Sequence, residues 1–90
     1  MKIGPPRRDL HEAEVGQDVT IYDASCEEVV VLNTTASDVW RLCDGTRSVQ
    51  EIIELLAGAY QIDPSVITDD VRNIIEAFIQ EGLFEDAQAS

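Results

Sequence analysis

Residues 29–58, VVVLNTTASDVWRLCDGTRSVQEIIELLAG, contain the change from strand to helix on which the fold depends. The stretch opens with a continuous run of apolar, β-branched residues, the pattern of a strand that is covered on both faces. A short helical pattern follows and ends at Asp44 and Gly45, a glycine suited to the left-handed conformation after a helix. Ser48 and Glu51 then form a capping box. The stretch therefore predicts a strand, a helix, a tight turn and a second helix.

Two further strands are predicted upstream of this stretch. In residues 10–15 (LHEAEV), Leu10, Glu12 and Glu14 alternate with His11, Ala13 and Val15. Residues 19–22 (VTIY) are rich in β-branched and aromatic side chains. Turn-forming residues occupy positions 16–18 (GQD) and 23–25 (DAS). Three short strands joined by short turns predict an antiparallel meander.

Three helices are predicted after the strands. Thr34 or Thr35 can cap the first helix, since Thr35 and Asp38 match a capping pattern. Asp63 and Pro64 suit the start of the third helix, which should stop at Gly82. The positions expected to be buried on the first two helices are Ala36, Val39, Trp40, Cys43, Val49, Ile52, Ile53, Leu56 and Tyr60.

The predicted fold class is α+β, with a three-stranded antiparallel sheet followed by three helices in a winged-helix-like order. We expect one domain over residues 1–90, with residues 1–8 and 86–90 flexible.

The composition limits the classes of protein to which this chain can belong. The apolar content of 44% is that of a folded globular chain, and 18 acidic residues against 6 basic ones give a net charge of −12. No apolar run approaches the ~20 residues of a membrane span, and the N-terminus has no secretory pattern. We therefore expect a cytoplasmic protein with no membrane contact, in which Cys26 and Cys43 stay reduced.

The sequence offers no set of residues for catalysis. His11 is the single histidine, and Cys43 falls on the buried face of its helix, where a thiol is inert. Metal-binding spacings, phosphate-binding loops and nucleophile motifs are lacking. The prediction is a protein that is not an enzyme and has no catalytic residue, metal or cofactor.

A winged-helix-like order also suggests DNA binding, but the charges argue against it. Residues 48–60 contain no Lys or Arg, and the third helix has Arg72 alone. A recognition helix without cations cannot displace counterions from phosphates. A winged-helix regulator thus stays a minor alternative, and a purely structural subunit of an enzyme complex is another.

The remaining class is peptide binding. An exposed sheet edge offers unpaired N–H and C=O groups to an extended peptide, and residues 27–32 suit such an edge. The third helix also has apolar residues beyond one narrow stripe, so a groove between strand and helix is expected. The alternative is that Val29, Val31, Ile75 and Ile79 complete the core.

The pattern LNTTASDVW…LCDGTRSVQEIIELLAGAY…DDVRNIIEAFIQEGLFE resembles the PqqD family, whose domains are also called precursor-peptide recognition elements. The resemblance covers residues from about 10 to 84. Members of that family bind the leader segment of a ribosomally made precursor peptide and present it to modifying enzymes. The resemblance implies that the leader adds to the third strand and lies against the third helix.

The implied partners are therefore a precursor leader peptide and a leader peptidase or other modifying enzyme, without nucleic acid. The implied strand residues are Glu27, Glu28, Val29, Val30, Val31 and Leu32. The implied residues on the helix are Asp69, Arg72, Ile75, Glu76 and Ile79.

The turn before the third strand indicates which branch of the family the chain resembles more. Residues 23–26 (DASC) stand where the cofactor-biosynthesis branch has a PE-type turn. The chain, standing alone, is thus more similar to the leader-binding partner of a lasso-peptide leader peptidase. The alternative is a PqqD-type peptide chaperone for pyrroloquinoline quinone biosynthesis with a radical SAM partner.

Overall fold

The computed structural model describes residues 2–85 of the chain. The elements follow one another as β1 (Lys2–Ile3), β2 (Leu10–Val15), β3 (Asp18–Asp23), β4 (Glu28–Val31), α1 (Thr34–Leu42), β5 (Arg47–Ser48), α2 (Val49–Tyr60) and α3 (Pro64–Gln80). The predicted α+β class, a three-stranded antiparallel sheet followed by three helices, is confirmed. The short strands β1 and β5 pair with each other and were not predicted.

The three-stranded sheet has the order β2-β3-β4, with both pairs antiparallel. Val19 and Ile21 of the central strand are fully buried, because their side chains point to the face that the helices cover. Beyond the end of β4, the Val19 N–H donates to Ser37 Oγ at 2.8 Å. The buried serine thus ties the sheet to α1.

The helix starts follow the predicted capping chemistry in two cases out of three. Ser48 and Glu51 form the capping box of α2, and Asp63 caps α3 with proline in the first turn. The prediction for α1 was wrong: the Asn33 side chain is the cap and accepts from the Ala36 N–H at 2.8 Å. Asn33 precedes both threonines and reaches the first free amides of the helix, so neither Thr34 nor Thr35 is needed as the cap.

The core joins the sheet to all three helices. Trp40 of α1 lies edge-on to Phe78 of α3 at 5.2 Å and stacks on Phe84 at 5.9 Å. The predicted buried positions on α1 are all buried. On α2 the prediction was wrong for Tyr60, which is 37% exposed and donates its hydroxyl hydrogen to Asp38. As the last residue of α2, it lies at the edge of the packed surface.

The N-terminal segment contacts the rest of the molecule. Ile3 is buried, and the Arg7 N–H donates to the Leu83 carbonyl at 2.9 Å. At Gly4, where φ is +94°, a Cβ atom would collide with the Cys43 carbonyl, so only glycine fits there. Residues 2–8 are therefore held against α1 and the end of α3. The prediction for residues 86–90 lies outside the described residues.

Candidate functional site

Strand β4 is an edge strand, and its hydrogen-bonding pattern shows which groups are free. The Leu32 N–H donates to the Val19 carbonyl at 2.9 Å, so Leu32 faces β3. Because backbone direction alternates along an antiparallel strand, Glu28 and Val30 also pair inward. The N–H and C=O groups of Val29 and Val31 consequently point away from the sheet. Within residues 2–85, no strand pairs with them.

The side chains of β4 alternate between the two faces of the sheet. Val29 and Val31 are 59% and 72% exposed and lie on the outer face, next to Tyr22 of β3. Val30 pairs with Ile21 and is packed against the core on the inner face. A peptide strand added to β4 would alternate in the same way, with every second side chain directed inward.

Beyond the end of β4, the chain meets one flank of α3. Ile74, like Val30, is half-buried against the core. Asn33 and Thr35, which follow β4, line a cavity of about 300 Å³ together with Asp70, Asn73 and Ile74 of α3. We call the surface between the free edge of β4 and this flank of α3 the β4 groove.

Most of the predicted helical wall lies on the other flank of α3 and stays a prediction. Its members Arg72, Ile75, Glu76 and Ile79 do come together around a cavity of about 400 Å³. The cavity is completed by Ile3 of β1 and Val49 of α2, not by β4. Asp69 is exposed and belongs to neither cavity.

Helix periodicity explains why the two flanks of α3 have different neighbours. Val71, Ile75 and Phe78 form the buried stripe of α3, and residues on either side of that stripe face different neighbours. Ile74 and Ile79 lie on opposite sides of it.

Three of the predicted residues, two on the strand and one on the helix, lie away from the free edge of β4. Glu27 has φ = 56° and belongs to the turn before β4. Leu32 is buried and bonded to β3, so it offers nothing to a peptide. Ile75, at 3% exposure, is part of the core and cannot share a groove with the outward valines. The free backbone groups of the edge are thus those of Val29 and Val31.

The turn that leads into β4 is built around Asp23. Its side chain is buried, and both the N–H and the hydroxyl of Ser25 donate to Oδ1, at 3.1 and 2.6 Å. Arg7 donates to the same carboxylate at 3.1 Å. The Ser25 hydroxyl and the Arg7 guanidinium lower the pKa of Asp23 to about 2.

The thiols differ in their surroundings. Cys26 is exposed in this turn, whereas Cys43 is buried and its Sγ lies 3.1 Å from the Val39 carbonyl. Burial raises the pKa of the Cys43 thiol to about 12. A thiol with that pKa is not a nucleophile at neutral pH.

Metal and membrane sites were sought in the part of the chain that the structure describes. Residues 2–85 contain no group of three or more His, Cys, Asp or Glu side chains placed to hold a metal ion. Among the same residues, none of the helices has both the length and the apolar character of a membrane span.

The sequence and the fold both match those of known proteins. Residues 10–83 match the sequence model of the family described as coenzyme PQQ synthesis protein D (PqqD). The chain therefore belongs to the PqqD family.

Two curated relatives carry the name PqqA binding protein. The one from Methylococcus capsulatus (strain Bath) is 36% identical over 82 residues, which are 91% of this chain and 83% of that protein. The one from Rhodopseudomonas palustris (strain BisB5) is 34% identical over 64 residues. That match spans 71% of this chain and 63% of the R. palustris protein.

Two solved structures share the fold. TbiB1 in complex with the TbiA(beta) leader peptide matches with a TM-score of 0.76 and 21% identity, over 94% of this chain and 95% of that one. A lasso peptide synthetase B1 complexed with the leader peptide matches with a TM-score of 0.71 and 22% identity. That alignment covers 88% of this chain and 93% of the synthetase chain.

Proposed function

We propose that this protein binds the leader segment of a ribosomally synthesised precursor peptide as an added strand on β4. The observation that carries the proposal is the free edge itself, where the backbone groups of Val29 and Val31 point outward. Strand addition draws its affinity from main-chain hydrogen bonds and its specificity from side-chain pockets. The PqqA-binding relatives and the two leader-peptide complexes support the same class of ligand.

The alternation of the added strand defines the chemistry of a fitting leader. A side chain opposite Val30 points inward and meets Ile74, where an aliphatic or aromatic residue is stabilised by burial. Side chains opposite Val29 and Val31 lie on the outer face beside Tyr22. Basic leader residues are attracted by the carboxylates of Glu28 and Asp70 at the two ends of the groove.

Binding delivers the leader without chemistry at this protein. A disordered leader loses conformational entropy when it pairs with β4, which limits its affinity. Docking of the loaded protein to a maturation enzyme then raises the effective concentration of the precursor at that enzyme. The finer proposal, delivery to a leader peptidase in lasso-peptide biosynthesis, is supported by the two fold neighbours.

A second candidate is a PqqA-type precursor in pyrroloquinoline quinone biosynthesis with a radical SAM partner. It is supported by the 34–36% identity to PqqA binding proteins, which exceeds the 21–22% identity to the two fold neighbours. Fluorescence polarisation with one labelled leader of each class decides between the candidates. The higher affinity identifies the precursor class.

Backbone amide exchange tests the strand-addition proposal directly. We expect exchange at the Val29 and Val31 amides to slow when the leader is bound, because these N–H groups gain acceptors. The outward amides of Glu12 and Glu14 on the opposite sheet edge should not change and are the internal control. Saturating leader that leaves exchange at Val29 and Val31 unchanged would falsify strand addition at β4.

A further inference from the structure

Arg7 connects three parts of the molecule that are distant in sequence. Its Nη1 donates to the Gly82 carbonyl at 2.8 Å and to Asp23 Oδ2 at 3.1 Å. Its Nη2 donates to Asp9 Oδ2 at 2.7 Å and lies 3.4 Å from Ser25 Oγ. One guanidinium thus holds the turn before β4 and the end of α3 at the same time.

This contact lies at one end of the β4 groove. Asp23 is the last residue of β3 and pairs with Glu28 of β4, Ser25 lies in the turn between these strands, and Gly82 follows the last turn of α3. The other end of the groove is the cavity in which Asn33 meets Asp70. Strand β4 and α3 therefore run side by side in opposite directions, and Arg7 joins them where β4 begins and α3 ends.

The two walls are also matched in length. Residues 28–33 extended as a strand span about 17 Å. Residues 70–80 of α3 span about 15 Å at the rise of an α-helix. Since the walls begin and end together, a contact at either end fixes their separation along the whole groove.

From this arrangement we propose that Arg7 is a positioning residue that clamps the turn before β4 to the end of α3 and so holds the width of the β4 groove. The inference rests on the proposed function, because a fixed width matters only if a strand must fit between the walls. If the groove already has the width of the bound state, leader binding does not have to supply the free energy of ordering the groove.

The chemistry of arginine suits this role. Its planar fork presents several donors in fixed directions, so it satisfies a carboxylate and a carbonyl together. Its charge also complements the partial negative charge at the C-terminal end of α3. Lysine would keep the charge but, as a single ammonium, lose the fork that sets the geometry.

The chain contains a matched control for this contact. Arg47 Nη1 also pairs with a carboxylate, Asp44 at 3.0 Å, and lies 3.4 Å from a carbonyl, that of Leu42. It lies in β5, which does not contribute to the β4 groove. Arg7→Ala and Arg47→Ala thus remove the same side chain and similar contacts from different places.

Leader affinity is measured by fluorescence polarisation at a temperature at which each variant is folded by circular dichroism. We expect Arg7→Ala to raise the Kd roughly tenfold, Arg7→Lys to raise it less, and Arg47→Ala to leave it unchanged. Arg7→Lys keeps the test valid if Arg7→Ala does not fold. A Kd within twofold of wild type in a folded Arg7 variant overturns the proposal.

A distance measurement separates this proposal from the proposed function. Spin labels on the exposed Cys26 and on a Gln80→Cys substitution report the separation of the two walls without any leader. We expect one narrow distance distribution in wild type and Arg47→Ala, and a broader one in Arg7→Ala. An unchanged distribution in Arg7→Ala overturns the clamp, whether or not the wild type binds a leader.

Discussion

The two outer strands of the sheet expose similar backbone edges but carry opposite side-chain chemistry. On β2, the outward backbone positions are Glu12 and Glu14, and Arg41 of α1 reaches Glu14 at 3.5 Å. On β4, the outward positions are Val29 and Val31, both well exposed. Charged residues along an edge oppose strand addition, and apolar β-branched residues favour it. Whether a sheet edge can accept an added strand therefore depends on its side chains rather than on its backbone groups.

The largest expected effect on leader affinity comes from removing an outward N–H donor from β4, and the same change on β2 is the control. Val31→Pro removes an outward N–H from β4, so we expect leader affinity to fall at least roughly a hundredfold. Glu12→Pro removes the corresponding outward N–H from β2 and should leave the affinity unchanged. Fluorescence polarisation with the leader that binds wild type measures both.

Circular dichroism supplies the control for folding. Proline at an edge position interrupts no ladder bond inside the sheet, so both variants should retain the wild-type spectrum. If the two prolines weaken binding equally, the difference between the edges has no functional meaning and the leader binds elsewhere.

A smaller effect is expected from the two flanks of α3. Ile74→Ala shortens the side chain that meets the inward residue of the leader, and we expect the Kd to rise about tenfold. Ile79→Ala makes the same change on the flank that faces Ile3 and should leave the Kd unchanged. Titration calorimetry of both variants with one leader tests this pair. A larger loss for Ile79→Ala would mean that the originally predicted wall is the binding surface.

The smallest effect concerns the buried carboxylate before β4, which has no counterpart on the β2 edge. The folded-state pKa of Asp23, about 2, lies below its ordinary 3.8 because Ser25 and Arg7 stabilise the carboxylate. Its contribution to stability is therefore complete above roughly pH 4 and is lost as the pH falls towards 2. We expect the melting temperature of wild type to fall through this window more steeply than that of Asp23→Asn.

Circular dichroism melts from roughly pH 5 to pH 2 give the comparison. The pKa values of Asp44 and Asp63 are also lowered by hydrogen bonds to their carboxylates, so both proteins lose stability in acid. The difference between the two curves isolates Asp23. Parallel curves would contradict the assigned pKa.

Much of this architecture was predictable because the signals are local. The capping box of Ser48 and Glu51 and the start of α3 at Asp63 depend on contacts within one helical turn. The buried face of α1 follows from helical spacing alone. Strands β1 and β5 were not predictable, since each has two residues and exists only through pairing with the other.

The site was predictable in part. The apolar run at β4 indicated an edge with residues beyond the needs of the core, and the free edge is there. Which flank of α3 faces it could not be read from the pattern, because Ile74 and Ile79 flank the buried stripe on both sides. The role of Arg7 was hidden as well, because its partners lie up to 75 residues away in sequence.

The sequence by itself determined the order of the three sheet strands and the three helices, the caps of α2 and α3 and the membership of the chain in its family, because these depend on neighbouring residues and on hydrophobic spacing. The tertiary structure alone decided which valines of β4 face outward, which flank of α3 lies beside the end of β4 and which distant groups Arg7 contacts. Those features depend on strand register, on the rotation of a packed helix and on contacts between distant segments, and nearest-neighbour patterns do not specify them.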